Sequence, residues 1–389
     1  MSVSRRQFGC ALCALLAVAG RASAQAPDGG TFLAPGYRPP PESDEKGLWA
    51  LMDRAERNVR DSRFVVRDPG LNAYVHGIAC RLAKDHCPDV RIYIVRTAQF
   101  NASMAPNGMM EVWTGLLLRC VDEAQLAAIV GHELGHYLRQ HSVDRWRDAR
   151  NKADFGAFLT LGLAIAGLGA VGSATNLALL ASAFGFTRDQ EREADEIGLG
   201  LMVKAGYAPV AAAEVWDQLI AEFKAGTAER SGALLFATHP EPEERLVKLR
   251  ELAQQRGGEA GERGRAEYLA RLAGVRARLV GDELALRQYG RSELVFDRLL
   301  AQSPDDGQLW YAKGEVYRLR GGEEDAPRAL TAYGKALGTK SAPPETYRSL
   351  MRIELKAGAR DRAQAALDAY LKLKPDATDA EALRGLLSQ

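Results

Sequence analysis

The sequence predicts a mainly α fold of the α+β kind, with a small β-sheet among helices in the first half and helices alone in the second. Three observations predict it. Apolar residues recur at helical spacing over most of the chain. Only two short runs, Val90 to Ile94 and Met109 to Trp113, read as extended. From about residue 265 small and aromatic residues recur in tandem. The 389 residues allow two or three domains, and 47% hydrophobic with 26% charged residues is an ordinary globular balance. Formal net charge is +1 with no long basic run, so nucleic acid is not an expected partner.

The first residues read as an export signal rather than as fold. Arg5 and Arg6 precede an apolar stretch, Cys10 to Gly20, that is too short to span a bilayer. Ala22-Ser23-Ala24 then offers a cleavage site before Gln25. Ser4-Arg5-Arg6-Gln7-Phe8 resembles a twin-arginine signal, which exports folded protein; a general secretory signal with two arginines is the alternative. The expectation is a signal peptide over 1–24, a periplasmic mature chain, and a Pro- and Gly-rich leader over 25–45.

Residues 46–60 read as a helix. Asp68 is a candidate N-cap and Pro69 sits in the first turn of a second helix, with Leu71, Tyr74, Val75, Ile78 and Leu82 at helical spacing. Cys80, Cys87 and Cys120 remain after signal cleavage. On one continuous helix seven positions rise about 10 Å, too far for a bridge. Pairing of Cys80 with Cys87 needs the helix to end near Lys84, which Pro88 allows. The expectation is therefore three small buried side chains, with the bridge as the alternative. Val90, Ile92 and Ile94 suggest a strand, and Pro106-Asn107-Gly108 a turn before Met109–Trp113. Asp122 with Gln125 resembles a capping box that opens a helix to about His141.

Phe155 to Thr187 carry no charged side chain. A charged helix begins at Arg188 and ends at Gly206 and Pro209, and helices continue to about Gln255. A Gly-rich link, Gly257 to Gly264, separates a first domain over 46–256 from a second over 265–389. In the second, Phe296 and Pro304 fit the end of one unit; Trp310, Gly314, Tyr317, Ala329, Tyr333 and Ala336 form the following one, and Tyr347, Leu350, Ala363, Leu367 and Pro375 form the next. These fit tetratricopeptide spacing, with an insertion at Gly321-Gly322. Such helix pairs stack because one pair alone cannot bury its apolar face.

The central chemical signal is His132-Glu133-Leu134-Gly135-His136. Positions i and i+4 share a helix face, so two imidazoles can hold one zinc ion. Glu133 lies at the edge of that face, where it can take a proton from the water that the metal activates. Apolar Ile129, Val130, Leu134 and Leu138 imply a buried helix. A catalytic zinc needs a third protein ligand. Glu191, Glu193 and Asp195 compete for that role on spacing alone.

The pair of motifs resembles the gluzincin peptidases of the CAAX-prenyl-protease, HtpX and BepA type. The resemblance implies that Glu191 is the third ligand and that Asp195, one turn on, supports a ligand imidazole from outside. Glu193 and Glu196 are then expected on a solvated face, and His76, His86 and His141 in structural or surface roles. Asn101-Ala102 through Gly108, with Val112 and Thr114-Gly115-Leu116-Leu117, is similar to the family's edge strand, which lines the cleft and pairs with substrate backbone. Ser103 and Asn107 depart from the pattern, where an aromatic and a Gly are common. Thr238-His239-Pro240 with Arg245 is similar to a loop of the BepA-type members, whose His approaches the zinc. This implies that His239 holds the enzyme latent or stabilises the oxyanion, with Arg245 pinning the loop.

The uncharged run 155–187 is too short for two crossings, and a single crossing would separate two ligands of one metal. It is expected to form a helical hairpin beside the site, either buried or in peripheral contact with a membrane. The resemblance implies one Zn2+ per chain and endopeptidase action on unfolded or misassembled outer-membrane proteins. Assembly-machinery proteins are the expected partners of the tetratricopeptide repeats. The alternative is mainly a chaperone or scaffold with a latent protease site.

Overall fold

The computed structural model describes residues 31–151, 185–226 and 239–388. The expected signal peptide, all but the last three residues of the uncharged segment, and Thr238 lie outside the described residues. Helix α1 (Asp44–Asp61) is capped by the Ser43 side chain, which accepts from the Lys46 N–H. Helix α2 (Pro69–Ala83) begins as the sequence predicts: Asp68 Oδ1 accepts from the Leu71 N–H at 2.8 Å. It stops at Lys84, where φ is 53°, and passes into a 3₁₀ turn, Lys84–Asp89, that contains Pro88. The reversal brings the Cα atoms of Cys80 and Cys87 to 4.6 Å, and the two form a disulfide. This corrects the expectation of three unpaired cysteines: the rise along an unbroken helix does not apply where the helix ends at Ala83. Among the described residues Cys120 alone is free, and it is buried.

The sheet has three strands, β1 (Arg91–Val95), β2 (Ala102–Met104) and β3 (Met109–Trp113), in the order β1-β3-β2. β1 runs parallel to β3, and β2 pairs antiparallel with it at the sheet edge, Ser103 opposite Glu111. The turn between β2 and β3 requires Gly108: φ is +90°, and a Cβ there would lie 2.1 Å from the Asp89 carbonyl oxygen. Asn107, the departure from the family pattern, holds this turn to α1. Its Nδ2 donates to Asp53 and Glu56, and its Oδ1 accepts from the Met109 N–H.

Two short helices and two long ones then build the centre: α3 (Thr114–Arg119), α4 (Glu123–Leu138), α5 (His141–Asn151) and α6 (Arg188–Lys204). Asp122 caps α4 through the Gln125 N–H at 2.9 Å, but the Gln125 side chain returns to the Val121 N–H. The α4 helix does not reach His141. It ends at Leu138, and Gln140, with φ 54°, turns the chain before α5. Every residue of α4 is buried, which places it in the middle of the domain rather than at its surface. Thr187 and Gln190 form a full capping box on α6.

Helices α7 (Val210–Ala225) and α8 (Pro242–Gln255) close the first half. The second half is α9 (Arg265–Ala285), α10 (Tyr289–Gln302), α11 (Gly307–Arg320), α12 (Asp325–Leu337), α13 (Glu345–Lys356), α14 (Arg360–Leu373) and α15 (Ala380–Ser388). α11 packs on α12 and α13 on α14. Gly314 is small because the Tyr333 ring lies where its Cβ would be, and the Pro304 carbonyl accepts from Trp310 Nε1 at 2.8 Å. One hydrophobic core runs from α2 and the sheet through α4, α6, α7 and α8 into α9, α10 and α11. Buried charge reinforces this junction: Arg119 donates to Glu222 and to Glu283, each at 2.7 Å. Among the described residues no helix is long and apolar enough to cross a membrane.

Candidate metal centre

The site exists because α4 and α6 cross almost backbone to backbone. A Cβ on Gly135 would lie 2.8 Å from the Ala194 carbonyl oxygen, and one on Gly198 would lie 2.8 Å from the Gly131 carbonyl carbon. Any larger side chain at these positions would push the helices apart. The approach puts His132 and His136 of α4 within reach of Glu191 in the first turn of α6. His132 Nε2 is 3.0 Å from His136 Nε2. Glu191 Oε2 is 3.5 Å from His132 Nε2, and its Oε1 is 3.4 Å from His136 Nε2.

His239, from the loop before α8, enters the same cluster. Its Nδ1 is 3.0 Å from Glu191 Oε1 and 3.3 Å from His132 Nε2. One ligand atom from each of His132, His136, Glu191 and His239 lies within 4.8 Å of all the others. All four side chains are buried. Glu133 stands beside them, its Oε1 3.8 Å from His239 Nε2. Asp195 Oδ1 meets His132 Nδ1 at 2.9 Å. Arg245 grips Asp195 through Nε at 2.8 Å and Nη2 at 2.6 Å, and its Nη1 is 2.5 Å from Glu191 Oε2. The guanidinium lies over the Trp216 ring, 4.0 Å from its centroid. Phe186 stacks on the His136 ring at 3.7 Å.

Charge states follow from burial and neighbours. Burial holds the His136 imidazole well below its ordinary pKa despite its bond to Glu191, so the ring is neutral at pH 7. Burial resists ionisation of Glu191, but Arg245 and then His239 outweigh it and keep the carboxyl well below the usual range. Asp195 shows the same balance, with Arg245 prevailing over burial. Burial raises Glu133, and His239 and His132 only partly offset it. A raised carboxylate is better matched to proton transfer near neutral pH. Burial lowers His239, yet the Glu191 carboxylate outweighs it and the net shift is upward.

Residues 66–253 match peptidase family M48. The matched stretch, just under half of the chain, is similar to a family M48 peptidase domain. Beta-barrel assembly-enhancing protease of Escherichia coli K12 is 27% identical over 296 residues, covering 74% of this chain and 54% of that protein. A Vibrio cholerae protein assigned the same name is 30% identical over 280 residues, covering 68% and 55%. Mitochondrial metalloendopeptidase OMA1 of Schizosaccharomyces pombe is 32% identical over 162 residues, 41% of this chain and 45% of that one. The chain thus spans about half the length of the curated relatives it matches.

The M48 domain is that of a metallopeptidase, and its donor set fits a divalent metal. Two imidazoles present Nε2 and one carboxylate presents both oxygens toward a common point. The histidine donors favour a borderline ion over magnesium or calcium. His132, His136 and Glu191 would hold it, with His239 near enough to join them. Asp195 and Arg245, named from the sequence, both reach the cluster.

Three participants were not legible. Of the structural or surface roles expected for His141, it takes a structural one: it is buried, and its Nδ1 is 2.9 Å from His136 Nδ1, a link to the site that the sequence did not indicate. Glu193 does not stand on a solvated face: it pairs with His141 Nε2 at 3.0 Å and Arg139 Nε at 2.7 Å. Phe186 stacks from the residue before the α6 cap. The missing signal was the break at Gln140. On a continuous helix five positions turn a side chain well away from its ligand neighbour, whereas the reversed chain returns His141 to it.

Proposed function

We propose that this chain is an exported zinc endopeptidase that acts on unfolded or misassembled cell-envelope proteins, in outer-membrane protein assembly and quality control. What carries the reading is the convergence of His132, His136 and Glu191, from two helices far apart in sequence, with Glu133 alongside. The names of the bacterial relatives support the setting in β-barrel assembly. The export signal read at residues 1–24 supports the periplasm.

In this reading zinc supplies Lewis acidity toward a peptide carbonyl and acidifies water. Glu133 takes the proton of the attacking water and passes it to the leaving amine. β2, the edge strand, receives extended substrate by backbone pairing, which suits unfolded chains of varied sequence. Asp195 and Arg245 hold the His132 ring and the Glu191 carboxylate in place. The C-terminal helix pairs are tetratricopeptide repeats whose concave face takes assembly-machinery proteins.

The test is Glu133→Gln beside wild type on casein as an unfolded substrate, with metal content measured in both. Cleavage should fall by about 10² to 10⁴-fold while metal is retained. Equal cleavage by the two would overturn the reading. A second reading, a scaffold with a latent site, is favoured by one observation: His239 lies among the ligands, 3.0 Å from Glu191 Oε1. Equal rescue of an envelope-defective strain by wild type and Glu133→Gln would select it.

A further inference from the structure

The two helix-borne histidines of the centre are backed by different chemistry. His132 directs Nδ1 at a carboxylate, Asp195, as ligand histidines commonly do. His136 directs Nδ1 at another imidazole, that of His141, at 2.9 Å. His141 in turn directs Nε2 at Glu193 Oε2, 3.0 Å away, and Glu193 is held by Arg139 through its other oxygen at 2.7 Å. His141 and His136 are both buried.

Proton accounting along this chain leaves one arrangement. An ionised Glu193 can only accept, so His141 Nε2 carries the hydrogen of that bond. A neutral His141 then has a bare Nδ1, which can only accept. The hydrogen between the two rings therefore sits on His136 Nδ1. That leaves His136 Nε2 as a bare lone pair, and this is the nitrogen that faces His132 and Glu191, at 3.0 and 3.4 Å. A solvent-exposed imidazole samples both tautomers, and only one of them can ligate through Nε2.

We infer that His141 and Glu193 are positioning residues: through the His136–His141–Glu193 chain they fix the tautomer and ring orientation with which His136 binds the metal. The proposal rests on the reading of His132, His136 and Glu191 as metal ligands. The break at Gln140 is what makes the chain possible, because it returns the first residue of α5 to the ligand in the last turn of α4. Arg139, at the same break, anchors the far end through Glu193. Neither His141 nor Glu193 belongs to the cluster of candidate ligand atoms, so their influence is exerted through His136.

The test is zinc affinity, measured on the purified full-length mature chain by competition with a chromophoric chelator. Wild type, His141→Ala, His141→Asn, Glu193→Gln and the ligand control Glu191→Ala are compared. His141→Ala should bind zinc about 10 to 100-fold more weakly and release it faster. His141→Asn keeps an acceptor at the Nδ1 position and should stay several-fold closer to wild type. Glu193→Gln, nearly the same shape, should fall between them. Melting of the metal-free proteins separates affinity from folding: His141→Ala and His141→Asn should melt alike, and if the alanine variant does not fold, the asparagine and Glu193→Gln pair carry the test. Affinity of His141→Ala within twofold of wild type, or His141→Asn as weak as His141→Ala, overturns the proposal. If wild type itself binds no zinc, or Glu191→Ala binds it equally, the ligand assignment has failed and this proposal falls with it.

Discussion

Two clusters of buried charge in this molecule are built on opposite plans. Around Arg119 every carboxylate meets a guanidinium. Glu222 takes Arg119 and Arg298, and Glu283 takes Arg119, Arg291 and the Ser292 hydroxyl. Arg119 also donates to the Ala98 and Gly115 carbonyls, so all three of its nitrogens are engaged within the protein. Around His132 the inner shell is instead a crowd of acceptors. Two Nε2 atoms 3.0 Å apart and a carboxylate face one point, and the cations that balance them, Arg245 above all, stand outside. A network of paired charges fastens helices together; an inward ring of acceptors is suited to hold a cation.

That contrast is open to attack first at Arg119. Arg119→Ala strips the partner from Glu222 and Glu283 at once and should destabilise the protein by about 3–5 kcal/mol. Chemical denaturation measures this, and the folded fraction should keep its full metal content. Loss of metal without loss of stability would erase the distinction between the clusters.

One further buried acid belongs to neither plan. Glu111 of β3 is fully buried, with only Trp113 Nε1 as a donor, at 3.2 Å. Its second oxygen has no hydrogen-bond partner. Burial pushes its pKa up to about 8. The folded protein therefore holds a proton that the unfolded chain releases above about 4.5, and stability should fall as pH rises between these values. Between roughly pH 5.5 and 7.5 the loss should be on the order of 2 to 3 kcal/mol, at ~1.4 kcal/mol per pH unit. Glu111→Gln should flatten the profile, as read by denaturation at several pH values. An unchanged slope would mean that Glu111 is paired and ionised, like the Arg119 network.

The smallest expected effect is covalent. Cys80–Cys87 closes a short loop, so replacing both by Ser should cost about 2 kcal/mol. Its distance in sequence from both charge clusters predicts unaltered metal content. A lowered metal content would show that the turn at Lys84 feeds into the site.

How much of this was legible follows from range. The caps at Asp68 and Asp122, strands β1 and β3, and both histidines of α4 are local, and the sequence states them directly, whereas β2 was reached only through resemblance. Residues at breaks were misread. Lys84 and Gln140 adopt φ of 53° and 54°, a conformation that non-glycine residues seldom take and that composition does not announce. The first break decided for the disulfide, which the sequence left as the alternative, and the second hid the reach of His141 and Glu193 to the site. The close crossing at Gly131, Gly135 and Gly198 was also silent, because a small residue in a helix does not say which backbone it admits. Glu191 could be singled out only through resemblance, since Glu193 and Asp195 lie on the same turn.

The central claim is that α4 and α6 share one metal ion. Zinc titration of the purified mature chain, followed by isothermal calorimetry with wild type and Glu191→Ala side by side, tests it most directly. The account predicts one tight site per wild-type chain and loss of tight binding in the variant. Absence of stoichiometric zinc in wild type, or equal binding by Glu191→Ala, would contradict it.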